Sequence, residues 1–152
     1  MKNRRILILF SWVLYIIYIS GLIYFLFFSE RFGRHSLNEY HYNLEPFSEI
    51  KRYIHYCDII GFKWVFINLV GNVVAFIPFG MAAPLYGIRK MGFVFIFIYG
   101  LLFTFLIEII QLVNKIGSFD IDDIILNTSG VIIGYCIYKL VKVCRKDNIR
   151  NK

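Results

Sequence analysis

Four stretches of this chain lack the regular polar positions that a soluble domain turns toward water. Residues 6–28 carry no charge over 23 positions, which meets the roughly 20 residues a spanning helix requires. Residues 64–88 repeat the pattern, and 91–113 do so with Glu108 and Gln111 as interruptions. The fourth, 124–143, includes Lys139 and Lys142, whose long side chains can reach back to the interface from a helix end. The pattern predicts helices over 6–28, 64–88, 91–113 and 124–143 within a single domain, 1–152. Polar loops are expected at 29–63 and 114–123, with a short turn at Arg89-Lys90. Pro78 withdraws a backbone donor from the second helix, so a kink is expected there, with Gly80 nearby.

Composition moves the chain out of the soluble class. Hydrophobic residues make up 59% of it, aromatics 19%, and the mean hydropathy is +0.63; soluble domains run to about 45–50% apolar. The fold class expected is all-α, an integral membrane bundle of about four transmembrane helices. A secretory signal is the rival for the first helix, but its apolar core spans only about 7–15 residues before a small-residue cleavage site. The net charge of +7 is expected to orient the helices rather than to meet nucleic acid. With the N-terminus inside, Lys and Arg divide 11 to 6 in favour of the cytoplasm. Both termini are therefore expected to be cytoplasmic and both long loops extracytoplasmic, in a multi-pass protein of the cell membrane. Cys57, Cys136 and Cys144 show no CxxC spacing, and His35, His41 and His55 show no ligand spacing. Neither a disulfide framework nor a histidine metal site follows from them.

Polar side chains inside apolar helices are costly and mark candidate sites. Asn68 and Asn72 share one face of the second helix; Glu108 and Gln111 share one face of the third, with Thr104 a turn earlier. Asp123 and Asn127 are four apart, and Asp120 and Asp122 precede them. At about 1.5 Å per residue, all lie within roughly 14 Å of the same ends of their helices and can meet in one layer. Interhelical hydrogen bonding is the plainer role for the amides, and carboxylates make expensive glue. Gly130 and Gly134 form a small-xxx-small face suited to close helix packing. No Walker or DDxxD pattern accompanies the aspartates, and Ser118 and Ser129 lack a histidine partner in their layer.

Several segments, in order, are similar to those of VanZ-like proteins. Asn68-Leu69-Val70-Gly71-Asn72, continuing to Phe76, Pro78 and Gly80, resembles the family's N-x-x-x-N-x-x-x-F-x-P-x-G segment. Glu108-Ile109-Ile110-Gln111 resembles its E-x-x-Q. Phe119-Asp120-Ile121-Asp122-Asp123, running on to Asn127 and Gly130, resembles its F-D-I-D-D-x-x-x-N-x-x-G. Asn43-Leu44-Glu45-Pro46-Phe47 is similar to the loop motif upstream. Many members have arginine where this chain has Gly117; Lys115 is the neighbouring cation. The resemblance implies a membrane location and a link to glycopeptide antibiotics. One member lowers susceptibility to teicoplanin-type, lipid-tailed compounds without remodelling the peptidoglycan stem.

The expected activity is binding rather than catalysis. An outer-leaflet pocket of Asn68, Asn72, Glu108, Gln111, Asp120, Asp122, Asp123 and Asn127 would engage membrane lipid, a lipid-linked precursor or a lipoglycopeptide. No cofactor and no nucleic-acid partner are expected. The alternative is a metal-assisted enzyme acting on a lipid-linked cell-wall precursor, with a divalent cation on Asp120, Asp122 and Asp123. A transporter is disfavoured by four helices without an internal repeat.

Overall fold

The computed structural model describes residues 2–28, 39–86 and 92–150. In chain order these form α1 (Lys2–Phe27), β1 (Tyr42–Asn43), α2 (Ser48–His55), α3 (Cys57–Ile60), α4 (Phe62–Tyr86), α5 (Phe93–Val113), β2 (Phe119–Asp120) and α6 (Ile121–Arg150). Helices α1, α4, α5 and α6 are each long and apolar enough to cross a bilayer. Their outward faces carry the side chains that lipid, not water, accommodates: Leu9, Ile16, Phe66, Val94, Leu102 and Leu106 are all exposed. The chain is an all-α membrane bundle of four spans. The Arg89-Lys90 turn lies outside the described residues.

Two segments expected to be loops contain structure. Within 29–63, the described part from Tyr42 onward holds β1 and the short helices α2 and α3. β1 and α3 are too short to show a period in the sequence and α2 shows one over only eight residues, and β1 and α2 are held by contacts far along the chain. Within 114–123, residues 119–120 form β2 and 121–123 are the first turn of α6. That helix is 30 residues long in all, about 45 Å at 1.5 Å per residue, and runs through Lys139 and Lys142 past the expected end at residue 143.

The bundle is organised around the crossing of α4 and α6, where backbone meets backbone. A Cβ on Gly130 would fall 2.1 Å from the Val73 carbonyl oxygen, and one on Gly134 2.1 Å from that of Ile77. From the facing helix, a Cβ on Gly80 would lie 2.0 Å from the Val131 carbonyl. Gly80 thus belongs to the contact surface, and α4 runs on as one helix through Pro78 and Pro84. Val131 is fully buried and fills the space opposite Gly100 of α5. Around it close Phe76, Ile96, Ile107 and Tyr135, with the Phe79 ring stacked 4.4 Å from that of Phe103. Helix α1 lies on the outside. Leu22 and Leu26 enter the core, the Tyr18 hydroxyl donates to the Ala75 carbonyl (2.7 Å), and Gln111 Nε2 donates to the Leu26 carbonyl (2.8 Å).

Strands β1 and β2 pair in parallel, with Tyr42 opposite Phe119 and Asn43 opposite Asp120. This places the connection between α1 and α4 beside the one between α5 and α6. Both therefore lie at one end of the bundle, as an up-and-down arrangement of four spans requires.

Candidate functional site

At that end the F-D-I-D-D segment does three separate jobs. Asp122 is fully buried, and its carboxylate accepts backbone N–H groups from Phe47, Glu49 (2.8 Å) and Ile50 (3.1 Å). These belong to the start of α2, whose own N-cap residue, Phe47, supplies no side-chain cap and has φ 66°. Helix N-termini carry unpaired donors and partial positive charge, and here a carboxylate more than 70 residues away satisfies them. Asp120 Oδ1 accepts the Asp122 N–H (2.8 Å), which caps α6, and is also 3.3 Å from Asn43 Nδ2. Asn43 Oδ1 in turn accepts from Glu45 N and Ser48 Oγ, tightening the turn that leads into α2. Asp123 Oδ1 accepts Asn72 Nδ2 at 2.6 Å and ties α6 to α4.

These contacts enclose a cavity of about 500 Å³. Its polar wall includes Asn43, Glu49, Asn72, Asp120, Asp122 and Asp123; its apolar wall is Phe25, Ile67, Leu69 and Leu126. Arg52 also faces it and is paired with Glu49 at 2.5 Å. Burial pushes the Asp120 carboxyl up to about 6, and the charges of Asp123, Asp122 and Glu49 push the same way; its hydrogen bond from the Asp122 N–H opposes them.

The residues singled out from sequence separate into two groups. Asn68, Asn72, Asp120, Asp122 and Asp123 line the cavity, although the Asn68 side chain donates back to the Trp64 carbonyl of its own helix (2.8 Å). Glu108, Gln111 and Asn127 do not line it; they are fully buried behind it. Glu108 Oε2 accepts the Asp120 backbone N–H at 3.1 Å and so holds β2 against α5. Thr104 and Thr128 meet oxygen to oxygen at 3.2 Å between α5 and α6. Gln111 Oε1 and Asn127 Oδ1 are buried acceptors without a hydrogen-bond partner among the described residues. Among those residues, no three His, Cys, Asp or Glu side chains converge as a metal-binding group. Lys115, at φ 55°, sets its ammonium 4.8 Å from the centre of the Tyr40 ring.

Glu49, Ile50, Arg52 and Tyr53 belong to the cavity wall and were not anticipated. Their spacing within Ser48–His55 was the available signal, read against the turn that Asn43 and Pro46 announce.

The titration of Asp120 has a defined sign. Its folded value lies above the ordinary 3.8, so the folded state holds this proton more tightly than the unfolded chain. The stability that results is fully present below the ordinary value and is lost as pH rises through about 6. Relative to an Asp120→Asn variant, the wild-type unfolding temperature should therefore fall across this window. Thermal unfolding in detergent at a series of pH values measures it, and parallel curves would refute the shift.

Four spanning helices with a polar cavity clamped at one end define a polytopic membrane protein with a candidate binding site. The chain belongs to the VanZ/LLP1 family, whose profile matches residues 12–142. It is 31% identical over 127 residues to Protein VanZ from Enterococcus faecium, across 82% of this chain and 70% of that protein. No solved structure matches it.

Proposed function

We propose that the protein binds the head group of a lipid-linked or lipid-tailed amphiphile at the outer leaflet of the cell membrane, with both its termini in the cytoplasm. The observation carrying this reading is the mixed lining of the cavity, carboxylate and amide beside apolar side chains. Asp120, Asp123 and Asn72 line it together with Phe25, Ile67, Leu69 and Leu126, and Leu69 with Asn72 and Asp123 with Leu126 are three apart on one helix face. An ammonium or amide-rich head group meets the carboxylates, while its tail leaves along the apolar wall into lipid. Membership of the VanZ/LLP1 family supports a teicoplanin-type glycopeptide as one such ligand, with lowered susceptibility as the outcome. Asp122 stands apart from ligand contact in this reading, because both its oxygens are engaged by α2.

Expression in a sensitive Gram-positive host should raise tolerance to teicoplanin more than to vancomycin and leave the muropeptide profile unchanged. Asp123→Asn should remove most of that gain while the protein still accumulates in the membrane. An altered, chelator-sensitive lipid or stem peptide in mass spectra would instead support the metal-assisted enzyme. Equal tolerance with and without the protein would end the antibiotic role.

The orientation has its own test. The 11-to-6 division of Lys and Arg predicts that alkaline phosphatase fused after Lys152 is inactive. A cysteine introduced as Glu45→Cys, exposed in the same connection, with Cys57→Ser, should react with a membrane-impermeant thiol reagent in intact cells. An active fusion would invert the assignment.

A further inference from the structure

Helices α2 and α3 have two different faces. Ile50, Tyr53, Cys57 and Ile60 turn inward and are partly buried, and Ile50 and Tyr53 reach the cavity. Beside this face Ile54 is 63% exposed, and Ile59 at 81% and Phe62, at the start of α4, at 72% are exposed as well. A segment bathed in water would not be expected to present three large apolar side chains within nine residues at such exposure.

What covers them is indicated by the helix they run into. Phe62, Phe66, Val70 and Val74 are spaced by four and form a stripe along one side of α4, with the rings of Phe62 and Phe66 6.1 Å apart. Phe62, Phe66 and Val74 are exposed on a helix that crosses the bilayer, so this stripe faces acyl chains. Ile59 and Ile54 lie just before the span in the chain and are exposed too, with the exposed Asp58 and His55 between them. Gly61, at φ 90°, makes the turn between α3 and α4, a conformation that side-chain-bearing residues avoid. Tyr56 and Trp64 flank the patch, with the Lys63 ammonium 6.0 Å from the centre of the Trp64 ring. Aromatic rings beside lysine are the usual furniture of the head-group boundary.

We infer that α2 and α3 lie in the lipid interface as a shallow anchor, with Ile54, Ile59 and Phe62 set among the upper acyl chains. The occupant of this surface is the bilayer itself. The inference does not depend on what the cavity binds. Because Glu49, Arg52 and Tyr53 of α2 form the cavity wall, the anchor holds that wall at head-group depth.

The test uses the full chain in vesicles of phosphatidylglycerol and phosphatidylethanolamine. An environment-sensitive fluorophore is placed at Ile59→Cys or, separately, Ile54→Cys, in a background of Cys57→Ser, Cys136→Ser and Cys144→Ser. Leu102→Cys, on the exposed side of α5, provides the lipid-facing reference. Doxyl-labelled lipid should quench both interfacial probes about threefold more than aqueous iodide does, as an interfacial helix buried by several ångströms requires. Equal or greater quenching by iodide would place the segment in water and overturn the inference. Protection from both quenchers would overturn it in favour of a protein partner, such as a second copy of the chain. Both positions point away from the bundle, so a folding defect at one leaves the other to decide.

Discussion

Replacing Asp122 with alanine should release α2 from the bundle while the four spans stay inserted. Three backbone N–H groups, of Phe47, Glu49 and Ile50, lose their acceptor together, and a buried donor left without a partner costs about 1–3 kcal/mol. Part of this is recovered as water reaches the freed turn, so a net loss of about 3 kcal/mol in local stability is expected. Asp122→Asn keeps one acceptor oxygen and should lose roughly half as much. Trypsin is the direct probe, because Lys51 and Arg52 lie in the segment that Asp122 caps. The alanine variant should be cut there at least about tenfold faster than wild type, since 1.4 kcal/mol already corresponds to one decade. An unchanged cleavage rate would mean that the strand pairing alone holds the segment.

An effect of similar size, but spread over the whole bundle, is expected at the α4–α6 crossing. Gly130→Ala and Gly134→Ala each force a methyl group to within 2.1 Å of a backbone carbonyl oxygen. No flexible side chain is there to swing aside, so the two helices must separate. Overpacking of this kind costs about 3 kcal/mol per site. Thermal unfolding in detergent should drop sharply for each. Gly21→Ala supplies the contrast: nothing lies within 4 Å of its added methyl, and alanine gains up to about 1 kcal/mol over glycine in a helix. Similar unfolding temperatures for Gly130→Ala and Gly21→Ala would mean that the helices do not touch through their backbones.

The spans were legible because each is a long apolar run with at most a few polar positions, and lipid tolerates no other way of satisfying a crossing backbone than a helix or a closed barrel. Gly130 and Gly134 were legible too, since their spacing of four puts both on one helix face. Gly80 was read as the companion of a proline kink, although its decisive neighbour is Val131, 51 positions along the chain. The same limit explains Asp122. Three acidic positions within four residues look like ligands when taken alone, and only the fold shows that Asp122 caps α2 while Asp120 caps α6. Glu108, Gln111 and Asn127 share a depth with Asn72 and Asp123, but depth does not say which side of α6 is open. The order within residues 42–60 had little local signature beyond the spacing of α2, because its acceptors are supplied from 120 and 122.

That dependence on distant residues sets a biosynthetic order. Asn43, Phe47 and Glu49 leave the ribosome before α4 is made, yet Asp120 and Asp122 appear only after α5 has been synthesised. Through most of translation the segment between the first two spans has no partner, and the amphipathic α2 can do no more than rest on the membrane. The cavity closes only when the start of α6 arrives. A nascent chain arrested before residue 119 should thus be threaded through the bilayer and still lack a site, and whatever binds in the cavity can recognise only chains whose last span has begun to enter.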